Sequence, residues 1–225
     1  MSVRDKNDEN DETQDTPDFD DDFQGKLDDL FVWRRDVRHF RTDPVSDELI
    51  DELLDAASLA PSVGNSQPWR FVSVEDEGRR EKIREIFASC NREALEDYRG
   101  EKAKLYASLK LAGLKQAPVH LAVFVDTSTQ AGSGLGRKTM PETLQYSTVL
   151  AVHTLWLAAR ARGIGVGWVS IIDPEEVRKV LDVPDGWELV GYLCVGYPVE
   201  EHAVPELVRQ GWQDRDNDAR ILHKR

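Results

Sequence analysis

The chain has 225 residues, 40% hydrophobic and 32% charged, with 42 Asp and Glu set against 29 Lys and Arg. The resulting net charge of −13 repels phosphate backbones at long range, which argues against nucleic acid as the main partner. The sequence has no run of about 18 uncharged apolar residues and no basic-then-apolar leader, so no membrane contact is expected and the protein is expected to be soluble and cytoplasmic.

Residues 1–25 are rich in Asp, Glu, Asn and Thr, too polar to offset the entropy of ordering, and are expected to form a disordered acidic tail. Residues 26–225 then form one folded domain. Leu27, Leu30, Phe31 and Trp33 open it, followed by the basic cluster Arg34, Arg35 and Arg38. Pro44 and Ser46 mark a helix start, and Leu49, Ile50, Leu53, Leu54 and Ala57 recur at amphipathic spacing until Pro61 and Gly64. A short strand is predicted over Arg70–Val74, and helices over Arg79–Ala88 and Glu93–Leu114. Val119–Val125 reads as a buried strand and Asp126–Arg137 as a loop. A long helix is predicted over Pro141–Arg162, a strand over Ile164–Ile172, a helix over Pro174–Leu181 and a strand over Glu188–Gly196. Long helices alternate irregularly with short strands, which predicts an α+β domain with a central mixed sheet flanked by helices.

Three segments carry candidate chemistry. In Trp33–Phe40, three guanidiniums within five residues repel one another unless an anion or carboxylates gather them, and the planar fork of Arg suits phosphate. In Ala60–Phe71, Ser62, Asn65, Ser66 and Gln67 lie between two prolines, offering amides and hydroxyls to the edge of a polar heterocycle; an ordinary helix-terminating loop uses the same residues. In Gly163–Ser170 the glycines, Gly167 among them, permit close backbone approach by a flat ligand, with Ser170 at the strand's end. These glycines lie inside the strand, unlike a G-x-G-x-x-G turn, so a Rossmann dinucleotide site is excluded. Cys90 and Cys194 show no C-x-x-C spacing and the five His no metal-ligand spacing, so no metal is expected.

R-R-x-x-R-x-F, then A-P-S-x-x-N-x-Q-P-W-x-F, then a glycine-rich strand after a long helix resemble the nitroreductase-like flavoproteins from about Leu30 to Arg215. The resemblance implies an intertwined homodimer with one FMN at each of two subunit interfaces. Arg34, Arg35 and Arg38 would meet the phosphate, ribityl and ring-edge oxygens, while Ser62, Asn65 and Gln67 line the flavin site. Gly167 of the glycine strand and, near the C-terminus, Arg215 complete the expected cofactor set. Asp36 replaces the Ser common in the family. With Ser170, and with a lid over Arg92–Leu114 that includes Tyr98, Leu105 and Tyr106, it is similar to the branch that fragments reduced FMN with dioxygen. Asp36 and Ser170 are then the implied catalytic pair, reduced FMN both bound flavin and substrate, and a separate flavin reductase its supplier. Two other implied activities stay open, an NAD(P)H-dependent nitroreductase or quinone reductase and a deiodinase-type reductive dehalogenase, beside a non-catalytic flavin-binding module.

Taken on its own chemistry, Asp36 among arginines is expected to have its ionised form favoured, making it a ready proton acceptor. It serves equally well as a charge-neutralising partner. Ser170 has no base beside it in sequence, which argues against a hydrolase-type nucleophile.

Overall fold

The structure is a computed structural model that describes residues 16–108, 112–216 and 218–225. Its first helix, α1 (Asp21–Trp33), begins five residues before the expected start of the domain. The acids that read as tail act as helix-start residues: Asp20 caps the Phe23 N–H, and Asp21 and Asp22 face the positive end of the helix dipole. Helix α2 (Asp47–Ser58) is capped by Ser46 and leads into β1 (Trp69–Ser73). Helix α3 runs unbroken over Glu77–Glu96, where two helices parting near residue 90 were expected. Ser89, Cys90, Asn91 and Arg92 include no Pro or Gly to stop it, and the break comes before Gly100, whose φ is +59°. Then follow α4 (Gly100–Ser108), α5 (Gly113–Gln116) and β2 (Val119–Asp126). The second half holds α6 (Thr143–Ala161), β3 (Gly165–Val169), α7 (Pro174–Leu181), β4 (Trp187–Gly196) and α8 (Glu206–Arg209).

The strands form one sheet in the order β1-β2-β4-β3, with all three pairings antiparallel. The parallel element of the expected mixed sheet is reduced to a single bridge between Asp36 and Val166. Side chains alternate between two cores. Leu121, Val123, Leu193 and Val195 pack with Leu53, Ala57 and Leu155 of α2 and α6. Ala122, Phe124, Tyr192 and Cys194 pack with Ile83 and Val177 of α3 and α7. Burial on both faces explains why β2 reads as a continuous apolar run rather than an alternating one. Among the described residues, no helix is long and apolar enough to cross a membrane.

Candidate active site

The arginine segment is laid along β3 by its own backbone. The Val37 N–H donates to the Val166 carbonyl at 3.0 Å, the Trp168 N–H donates to Asp36 Oδ1 at 2.9 Å, and Trp156 Nε1 donates to the Arg35 carbonyl at 3.1 Å. Gly167 serves this contact: a Cβ there would stand 2.1 Å from the Val37 carbonyl oxygen. The close approach read from the glycines is therefore made by the chain's own residue 37, which takes the space on the Cβ side of Gly167 that was expected for a flat ligand.

The three arginines have different surroundings. Arg34 lies over the Trp156 ring, 5.1 Å from its centroid. Arg35 donates from Nε to the Ala203 carbonyl at 3.1 Å, and its Nη2 reaches the same oxygen. Neither meets a carboxylate among the described residues. Burial, with the positive charges of Arg34 and Arg215, depresses the Arg35 pKa, so the distant Arg215 is electrostatically part of the cluster although its side chain is exposed. Arg38 is shared between two acids, with its Nε 3.6 Å from Asp36 and 4.0 Å from Glu206.

Asp36 reverses the direction expected for it. Its pKa is raised, because burial of the carboxyl outweighs the Trp168 N–H and Arg38, and Glu206 adds negative charge. The side chain keeps 39% of its surface open, so it borders a cleft lined by Arg35, Arg38, His202 and Glu206 rather than the core. Cys194 lies within its electrostatic reach, and burial pushes that thiol up to about 12. Ser170 follows the end of β3, two residues beyond the Trp168 amide that Asp36 holds, and its side chain is exposed with no hydrogen-bond partner among the described residues. The two expected catalytic residues thus flank the same strand end without touching.

The second polar segment sits elsewhere. Ser62 Oγ accepts from the Gln67 N–H at 3.0 Å, Asn65 Oδ1 from Gln67 Nε2 at 3.3 Å, and Ser147 Oγ of α6 from the Val63 N–H at 3.0 Å. Asn65 and Gln67 hold positive φ values of 53° and 44°, and such strained residues cluster at ligand sites. Gly132 backs the loop, since a Cβ there would lie 2.5 Å from the Gly64 carbonyl oxygen. Ser66 Oγ is buried and without a partner.

The loop leads into β1 and the arginines border β3, the opposite edges of the sheet, so about 14 Å of sheet separates them at ordinary strand spacing. Both touch α6, at Ser147 and Trp156, also about 14 Å apart at helical rise. Along this stretch the helix exposes Tyr146, Val149, Leu150 and His153 on one face.

The lid residues come together. Tyr98 stacks on Tyr106 with centroids 4.8 Å apart, and the Tyr106 hydroxyl donates to Asn91 Oδ1 at 2.9 Å. Leu105 is half-buried on α4, and residues 109–111 of the expected lid lie outside the described residues. Sequence reading missed Ala203, Glu206 and Trp212 as neighbours of the site. They lie more than 100 residues from what they touch, and only the Gly211–Arg215 segment had drawn attention, for Arg215.

FMN fits these residues. A dianionic phosphate suits Arg34 and Arg35, which lack carboxylate partners among the described residues, and the buried, unpartnered Ser66 hydroxyl marks an unfilled polar position in the loop. The model of the nitroreductase family matches residues 31–197. The 5,6-dimethylbenzimidazole synthase of Rhodospirillum rubrum is 59% identical over 197 residues, covering 88% of this chain and 93% of that protein. The enzyme of the same name from Rhodobacter capsulatus is 46% identical over 196 residues, covering 87% and 95%. Among solved structures, oxidised iodotyrosine deiodinase bound to FMN and 3-iodo-L-tyrosine superposes with a TM-score of 0.67 at 32% identity, over 78% of this chain and 91% of that one. With its two signature segments, its fold and its relatives in agreement, the chain belongs to the nitroreductase family.

Proposed function

We propose that this chain is a 5,6-dimethylbenzimidazole synthase that fragments reduced FMN with dioxygen to 5,6-dimethylbenzimidazole, the lower ligand of vitamin B12, and erythrose 4-phosphate. The observation that carries the reading is Asp36, a carboxylate directly after the paired Arg34 and Arg35, steered by the Trp168 amide and Arg38 to the mouth of the cleft. Reduced FMN, when bound, supplies the electrons and the ring that reacts with dioxygen. A separate flavin reductase supplies it.

Arg34, Arg35 and Arg215 bind the phosphate. Asp36 accepts and returns protons; its raised pKa keeps it a stronger base than an ordinary aspartate, with Arg38 holding it in place. Ser170, exposed just past the end of β3, donates a hydrogen bond close to the reacting ring. The lid excludes water, which protects reactive species from hydrolytic side reactions. The working unit is a homodimer: the exposed face of α6, with Phe31, Val32 and Trp33 of α1, is the apolar surface a second copy covers. That copy brings its own Ser62–Gln67 loop to the first chain's arginines.

The test is to supply reduced FMN and air and to look for dimethylbenzimidazole by mass. Asp36→Asn and Ser170→Ala must bind FMN yet lose product; parental yields from both reject the assignment. Steady NAD(P)H oxidation with a nitroaromatic acceptor and no flavin loss supports instead the nitroreductase activity of more distant relatives. Stable FMN binding with neither reaction identifies a flavin-binding module.

A further inference from the structure

The stretch from Glu200 to Arg215 behaves as a strap that joins the arginine segment to the lid residues. Its Ala203 carbonyl accepts from the Arg35 guanidinium, its Glu206 lies 4.0 Å from Arg38, and its Arg215 contributes to the field that depresses Arg35. Between these contacts, Trp212 reaches the lid. Its ring meets Tyr98 edge-on with centroids 5.4 Å apart, lies 6.1 Å from Tyr106, and has Lys102 Nζ 5.7 Å from its centroid.

The lid helix needs such an anchor. From Gly100 to Ala107 no residue of α4 is buried, so the helix is held by surface contacts and belongs to the low-stability parts of the fold. The hydrogen bond from Tyr106 to Asn91 fastens it to α3 but leaves Tyr98 and the stacked faces to Trp212. Aromatic pairs in stacked or edge-to-face geometry stabilise beyond their buried area.

We propose that Trp212 is a positioning residue: by packing Tyr98 and Tyr106 onto the strap that also holds Arg35 and Arg38, it makes lid closure and the grip on a phosphorylated flavin one cooperative unit. The inference deepens the flavin-fragmentation reading and rests on it for its consequence, that a loosened lid diverts reduced FMN and dioxygen to FMN and hydrogen peroxide. The coupling of lid to strap stands on the packing alone.

Hydrogen exchange on the full chain, with and without FMN, tests it in Trp212→Ala, Tyr98→Ala and the double variant. Each single change is expected to speed exchange over residues 98–108 about tenfold, and residues 34–38 lose part of the protection that FMN gives them in the parental chain. The double variant costs less than the sum of the two, because both changes remove the Trp212–Tyr98 contact. With reduced FMN and air, both single variants release more peroxide and less dimethylbenzimidazole per flavin consumed. Parental lid exchange in both single variants, parental protection of residues 34–38 by FMN despite a loosened lid, or fully additive effects in the double, overturns the proposal. A parental protein that makes no dimethylbenzimidazole refutes the enzymatic reading, and the exchange data still decide the role of Trp212.

Discussion

The arginine segment and the Ser62–Gln67 loop meet α6 nine residues apart, and they are stiffened by opposite means. Arg34–Arg38 borrows regular structure: backbone hydrogen bonds to β3, a Trp156 donor and a glycine that lets Val37 lie against the strand. The Ser62–Gln67 loop stores strain, with left-handed backbone at Gly64, Asn65 and Gln67 held by short-range side-chain bonds and by Ser147. The first arrangement fixes positive charge in one place, as the proposed grip on a phosphate requires. The second presents amide and hydroxyl groups that a folded strand would have used up. Their separation across the sheet means that, on the proposed reading, neither segment of one chain completes the site by itself.

Charge reversal at the arginines tests the contrast most severely. Arg35→Glu places a carboxylate against the Ala203 carbonyl and the phosphate position, and is expected to weaken FMN binding at least about a hundredfold, on the order of 3 kcal/mol, by fluorescence titration. A smaller loss makes the arginine half dispensable. Next comes the close backbone contact. Gly167→Ala cannot fit beside the Val37 carbonyl, so a loss of about 3 kcal/mol and roughly 10 °C in Tm is expected by thermal melting; an unchanged Tm refutes the close packing.

Glu206→Gln acts on the same half through charge. Asp36 has a raised pKa, so activity that needs the carboxylate is lost as pH falls through that value. Removing the Glu206 charge lowers the Asp36 pKa, and the acid limb of the rate profile moves to lower pH. A limb that stays put, or moves up, removes Asp36 as the titrating base. The smallest effect belongs to the strained half: Gln67→Gly relieves a positive φ and should be neutral or stabilising by up to about 1 kcal/mol, while the lost amide weakens FMN binding about fivefold. Stability lost rather than kept means that the loop is not strained.

Much of this was legible in the sequence because it is local. Both polar segments are short, contiguous and rich in donors, and α2, α7 and the four strands follow from caps, prolines and apolar runs. Three features were not. The first turns of α1 use the same acids that signal disorder, and only their position before Phe23 distinguishes them. The direction of the Asp36 shift depends on burial, which a run of arginines does not reveal. Glu206 and Trp212 act across folds of the chain more than 100 residues long, where spacing carries no information.

The claim that the two halves belong to one site shared by two chains is tested most directly by mixed dimers, in which one chain carries Arg35→Glu and the other carries Asn65→Ala with Gln67→Gly. In such a dimer, sharing across the interface leaves one site with intact arginines and an intact loop, so at reduced FMN well below the parental Kd, where weakened binding limits each variant alone, the account predicts about half the parental dimethylbenzimidazole in air. Mixed dimers as inactive as either variant alone would contradict it, because they would mean that each chain builds its site by itself.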